Sequence, residues 1–115
     1  MTLTAAIDMN LGLELVGGRE ELATQMLDLF ISMIPEHQTE IDTALKNKDS
    51  KQLAAAAHKF LGATCYVGTP YLKQITKKLE TAAKQENPNN LDEIYQDFCK
   101  AINDVLACYN EIQKT

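Results

Sequence analysis

Apolar positions recur along this chain at intervals of three and four, the spacing that lines one face of an α-helix, and they nowhere alternate as a half-buried strand requires. A first short run, Leu11, Leu15 and Val16, follows Asp8, a suitable N-cap, and ends at the helix stop Gly17-Gly18. A second pattern opens at Arg19-Glu20-Glu21 and sets Leu22, Met26, Leu29, Phe30 and Met33 on one stripe. Pro35 predicts a break or kink there, beyond which Ile41, Ala44 and Leu45 continue an apolar face. After the polar segment 46–50, Asp49 and Gln52 have the form of a capping box opening a helix from about 50 to 67, with a core stripe of Leu53, Ala57, Phe60, Thr64 and Val67. Gly68 ends it. Thr69-Pro70 supplies an N-cap and a first-turn proline for a helix carrying Leu72, Ile75, Leu79 and Ala82 or Ala83. A turn at residues 86–90 precedes the cleanest pattern of all: Leu91, Ile94, Phe98, Ile102, Val105, Tyr109 and Ile112. The expected fold is all-α, an antiparallel up-and-down four-helix bundle with a short additional N-terminal helix. It occupies residues 1–115 as one domain with a loosely ordered tip at 1–6.

The helix at 50–67 has an unusual outer face. With its core stripe at zero, a rotation of about 100° per residue puts Lys51, Ala55, His58, Lys59, Gly62 and Tyr66 on the far side, with Ala54, Leu61 and Cys65 at the boundary. A solvated face is normally written in Glu, Lys, Gln and Arg. An exposed mid-helix glycine costs roughly 1 kcal/mol relative to alanine. Small apolar groups and a glycine one turn from an imidazole are what a closely docking partner would require.

Composition narrows the classes. The 115 residues are 45% hydrophobic and 23% charged, and no run approaches the ~20 apolar residues that span a bilayer or forms a secretory leader, so the cytoplasm is the expected location. Cys65, Cys99 and Cys108 are too few and too loosely spaced for a disulfide framework or a zinc site. The net charge of −5 disfavours nucleic acid and anionic membrane as partners. That charge is unevenly divided. Residues 46–84 hold eight lysines against Asp49 and Glu80, a local +6 that leaves −11 elsewhere and would steer an acidic partner toward His58.

The segment Ala57-His58-Lys59-Phe60-Leu61-Gly62-Ala63, with Val67-Gly68 and Leu72 after it, resembles the signature of the histidine-containing phosphotransfer (HPt) domain. Ile7-Asp8, Leu11-Gly12-Leu13, Leu15 and the stretch from Gly17 to Ala23 resemble the opening of the C-terminal HPt module of BarA-type hybrid sensor histidine kinases. This resemblance covers most of residues 7–80. It implies that His58 is phosphorylated, that Gly62 keeps its face open and that Lys59 assists the phosphoryl group. The family often places a basic residue three positions after the histidine, where this chain has Leu61, so Lys59 or a lysine of the next helix is the candidate substitute. Glu80 stands where the family often has glutamine and is a candidate to orient the imidazole.

The function so implied is that of a phosphorelay intermediate, taking a phosphoryl group from a receiver-domain aspartate and passing it to a response-regulator aspartate. The docking surface would comprise Lys51, Ala54, Ala55, Leu61, Tyr66, Lys73 and Lys77. The partners are receiver domains of a hybrid sensor kinase and a response regulator. Mg²⁺ is expected in the receiver, with no cofactor on this chain, which carries no Gly-x-x-x-x-Gly-Lys-[Ser/Thr] loop for ATP. A monomer is expected, as a module excised from a larger sensor kinase. One alternative is an adaptor that docks a receiver or partner helix without being phosphorylated. Another is a metal- or haem-binding bundle using His58 with His37, a Met or a Cys. For that alternative, His37 reads as a surface or capping residue, and Cys65 lies ~10 Å along the helix from His58, too far to share an ion.

Overall fold

The computed structural model describes residues 6–85 and 90–114. Its elements are α1 (Met9–Leu15), α2 (Glu20–Lys46), α3 (Ser50–Thr64), α4 (Pro70–Ala83) and α5 (Leu91–Lys114). Consecutive long helices α2 to α5 pack antiparallel, and α1 lies against α2, so the expected bundle with its short extra helix is the fold observed. Of the expected loose tip, residues 1–5 lie outside the described residues, whereas Ala6 is 4% exposed and belongs to the core. The turn expected at 86–90 also falls outside them, apart from Asn90.

Local signals act much as the pattern suggests. Asp8 accepts from Leu11 N at 2.9 Å and Asp49 from Gln52 N at 3.0 Å, capping α1 and α3. Gly17 and Gly18 take φ of 68° and 80° at the end of α1, where Gly18 N donates to Leu13 O. α2 ends by the same device with a non-glycine residue: Lys48 takes φ 55°, and Asp49 N donates back to Ala44 O at 3.1 Å. That bond occupies the donor a full capping box would have used. Thr69 sits at the N-cap of α4, but its buried hydroxyl makes no capping bond.

Two expectations for α2 are corrected. Pro35 does not break the helix, which runs unbroken over 27 residues. The proline occupies an exposed position, so its ring projects away from the core while neighbouring turns hold. The buried stripe is also displaced: it is Leu27, Phe30, Ile34, His37, Ile41 and Ala44, whereas Leu29 is 54% exposed. The true stripe contains a histidine, and a polar letter in the middle hides its period.

His37 is therefore a core residue, 4% exposed, with its ring 5.0 Å from that of Phe60, and it is neither a surface nor a capping group. Its Nδ1 has no hydrogen-bond partner. Desolvation lowers its pKa below the usual 6.5, opposed by Glu40 and Glu36 and reinforced by Lys59. The unfolded chain takes up a proton near pH 6.5 that the folded chain refuses. Stability is thus full above that pH and falls below it, by up to about 1.4 kcal/mol per pH unit. Urea unfolding from about pH 7.5 to 5 is expected to show this loss in the wild type and little of it in His37→Leu. Equal losses in both would assign the acid sensitivity to other groups.

Phe60 is the hub of the core. Its ring stacks on Phe30 at 5.5 Å and meets Phe98 edge-on at 5.7 Å, joining α2, α3 and α5. These contacts fix the rotation of α3. A residue two positions away lies about 200° round the helix, so burying Phe60 points His58 outward.

Candidate functional site

The face of α3 opposite Phe60 carries the candidate site. Lys51, Ala55, His58, Lys59, Gly62 and Tyr66 are exposed, and Ala54, Leu61 and Cys65 are half-buried, as the helical rotation required. α3 itself ends at Thr64, and residues 65–68 form a tighter turn.

The His58 side chain is 75% exposed, yet one edge is anchored: Nδ1 lies 2.8 Å from Oε2 of Glu80 on α4. Glu80 is 7% exposed, and Lys84, one turn on, places its ammonium 3.2 Å from the same oxygen. Burial alone would raise the Glu80 pKa, but the hydrogen bonds from Lys84 and His58 outweigh it, and the carboxyl titrates below its usual range. At neutral pH Glu80 is therefore ionised and only accepts, so Nδ1 carries the proton. Nε2 keeps its lone pair on the solvent side. A neutral imidazole with a fixed tautomer and one open nitrogen is a competent nucleophile.

Lys59 is exposed, with its ammonium 3.2 Å from Glu40 on α2. A surface pair of this kind is worth about 1 kcal/mol or less, so Lys59 exchanges readily to another anion. Lys84 was missed in the sequence because its link to His58 runs through a residue of another helix. The antiparallel register that pairs His58 with Glu80 sets Ala54 level with Lys84, Leu61 with Lys77 and Cys65 with Lys73. Lys73 and Lys77 also line a groove of about 340 Å³ with Leu11 and Leu15 of α1. This brings a second apolar element beside the expected docking residues.

Gly62 lies open. A Cβ built there would meet nothing within 4 Å, so no neighbouring helix needs the glycine. Gly68 is the reverse case, since its Cβ would fall 1.9 Å from Asp8 O. It lies four residues beyond the end of α3 and admits the backbone at the start of α1, with a φ outside the left-handed range.

A helical bundle that holds out one oriented imidazole on a face of small apolar groups and lysines has the build of a phosphotransfer module. The chain belongs to the Hpt domain family, whose model matches residues 25–113. It is 33% identical over 96 residues to the sensor protein GacS of Pseudomonas syringae, covering 84% of this chain and 10% of that protein. It is 23% identical over 113 residues to the phosphorelay intermediate protein rdeA of Dictyostelium discoideum, covering 98% of this chain and 44% of that one. The chain thus spans about a tenth of the first relative and under half of the second. The crystal structure of an HPt domain from a Shewanella hybrid histidine kinase superposes with a TM-score of 0.84, at 24% identity over 97% of both chains. No helix among the described residues is long and apolar enough to cross a membrane.

Proposed function

We propose that this domain is a phosphorelay intermediate that takes a phosphoryl group onto His58 Nε2 from the aspartyl phosphate of a docked receiver and hands it to the aspartate of a response regulator. The carrying observation is the asymmetry of the imidazole: Nδ1 is tied to a buried carboxylate while Nε2 stands open. In the first half-reaction the Nε2 lone pair forms the N–P bond, the aspartate oxygen leaves with the P–O electrons, and the Nδ1 proton stays in place. Glu80 compensates the positive charge gained by the ring. Lys59, the neighbour of His58 on α3, and Lys84, on the carboxylate that anchors the ring, are the cations assigned to assist the phosphoryl oxygens.

Docking uses the exposed face of α3 with Lys51, Ala54, Ala55, Leu61 and Tyr66, rimmed by Lys73 and Lys77 of α4 and continued by Leu11 and Leu15 of α1. The partners are acidic receiver domains of a sensor kinase and a response regulator, which bring the Mg²⁺. This chain acts in the cytoplasm as a monomeric substrate and carrier, with no cofactor and no ATP chemistry of its own. The test is incubation with a panel of phosphorylated receivers, read as acid-labile, base-stable label on this chain. A receiver that binds without transferring would support the adaptor reading instead.

Gly62→Ala separates folding from docking. Alanine is the better helix former by roughly 1 kcal/mol, and its methyl touches nothing in this molecule. The variant is expected to unfold at higher temperature yet exchange phosphoryl groups with a receiver about 10-fold more slowly, because the methyl occupies the approach to Nε2. Unchanged transfer kinetics would remove clearance as the reason for this glycine.

A further inference from the structure

The Glu80 contact bears on the phosphorylated state as well as on the free imidazole. Once Nε2 is bonded to phosphorus its lone pair is spent, and the ring's one remaining acid–base site is Nδ1, beside Glu80 Oε2. A phosphoimidazole protonated on Nδ1 expels its phosphoryl group from a neutral imidazole. Without that proton it must leave imidazolate behind, a far poorer leaving group. The ionisation of Nδ1 therefore governs how readily the carrier gives up its load.

The environment of that nitrogen is strongly one-sided. Its hydrogen-bond partner is a carboxylate that is 7% exposed, so the charge sits fixed under one edge of a ring whose other edge meets water. A fixed opposite charge at this distance favours the protonated form of a phosphorylated ring. The second charge at the site is Lys84, whose ammonium binds the same Oε2 and keeps the carboxylate from taking the proton itself. Lys59, the neighbour on α3, is held by Glu40 of α2. Of these charges only Glu80 contacts the ring directly, and it promotes protonation, while Lys84 opposes it.

We propose that Glu80 is a positioning residue that keeps the proton on Nδ1 of phospho-His58, so that the phosphoryl group departs from a neutral imidazole and the domain is a short-lived donor biased toward passing its load on. The inference rests on His58 being the phosphorylated residue. In the transfer the Nε2–P bond breaks and its electron pair returns to Nε2. The new P–O bond forms to the receiver aspartate, or to water in the idle reaction, and the Nδ1 proton does not move.

Glutamine at position 80 preserves the shape and an accepting oxygen for Nδ1–H but deletes the charge. The full chain is phosphorylated with phosphoramidate, which needs no receiver, and loss of the ³¹P phosphohistidine signal is followed across about pH 5 to 9. In the wild type, hydrolysis is expected to slow with rising pH around a midpoint set by Nδ1. In Glu80→Gln that midpoint is expected to move down by about one pH unit or more, and phospho-His58 is expected to outlive the wild type about 5- to 10-fold near pH 8. Lys84→Gln removes the opposing charge and is expected to move the midpoint up. A merely structural role for Glu80 would change the yield of phosphoprotein and leave the midpoint where it is. Superimposable profiles, or shifts of the same sign in both variants, overturn the proposal. Phosphoramidate label that persists on His58→Gln would instead overturn the assignment of the acceptor.

Discussion

Replacing His58 with glutamine is expected to abolish phosphoryl acceptance, by about 10³-fold or more, while leaving the fold within about 1 kcal/mol of the wild type. The two halves of this expectation come from different atoms. The His58 side chain is 75% exposed and anchored by the bond from Nδ1 to Glu80, so replacing the ring creates no cavity. The glutamine amide N–H₂ can still donate toward Glu80, which also keeps the ammonium of Lys84 at 3.2 Å, so no buried carboxylate is stranded. Chemistry, by contrast, loses everything: an amide nitrogen has no lone pair available for attack on phosphorus. Cys65, the half-buried thiol on the same face, lies seven residues along and cannot take the place of Nε2. The measurement is transfer from a phosphorylated receiver alongside thermal unfolding. Acid-labile label on the variant at wild-type level would refute the site, and a collapsed melting curve would show that the ring does more for folding than its exposure indicates.

The outward face of α3 was legible in the sequence because the stripe beneath it is unbroken: Leu53, Ala57, Phe60, Thr64 and Val67 are all buried, with Ala56 beside them, and the positions opposite that stripe had to face outward. In α2 the same reasoning slipped. Its core stripe passes through His37, and the run Leu-Asp-Leu-Phe-Ile offers competing registers that only the ring of Phe60, from another helix, resolves. Pro35 misleads for a related reason, since a proline on the exposed side of a helix packed over its length costs a hydrogen bond but not the helix. Glu80 was a candidate from resemblance alone; its burial and its grip on His58 depend on how α3 and α4 are paired. Lys84 enters one step further along the same chain of contacts. Residues that meet only across a helix interface leave no period in the sequence, and the contact of Glu80 with the imidazole is of that kind.

Gly68→Ala is expected to be the most damaging conservative change to the fold. The Cβ would sit 1.9 Å from Asp8 O and 2.9 Å from Gly12 N. These are backbone atoms, which cannot turn aside as a flexible side chain would. The same approach carries a 2.7 Å hydrogen bond from Asp8 N to Gly68 O, and Asp8 is the residue whose side chain caps α1. Relief therefore requires α1 to move off as a unit, breaking that bond and uncovering Ala6, Ile7 and Val67, each about 4% exposed. A cost of about 3 kcal/mol follows from overpacking together with the lost burial, which lowers the melting temperature by roughly 10 °C in a domain of this size. The His58–Glu80–Lys84 cluster belongs to α3 and the α4 end of the bundle and contains no α1 atom. Labelling of His58 by phosphoramidate below the melting temperature should accordingly survive, whereas transfer from a receiver should weaken as Leu11 and Leu15 leave the docking groove. Hydrogen exchange gives the sharpest reading: amides of α1 should lose protection before those of α3. If the variant melts within about 2 °C of the wild type with α1 still protected, the backbone contact between Gly68 and Asp8 does not hold the first helix in place.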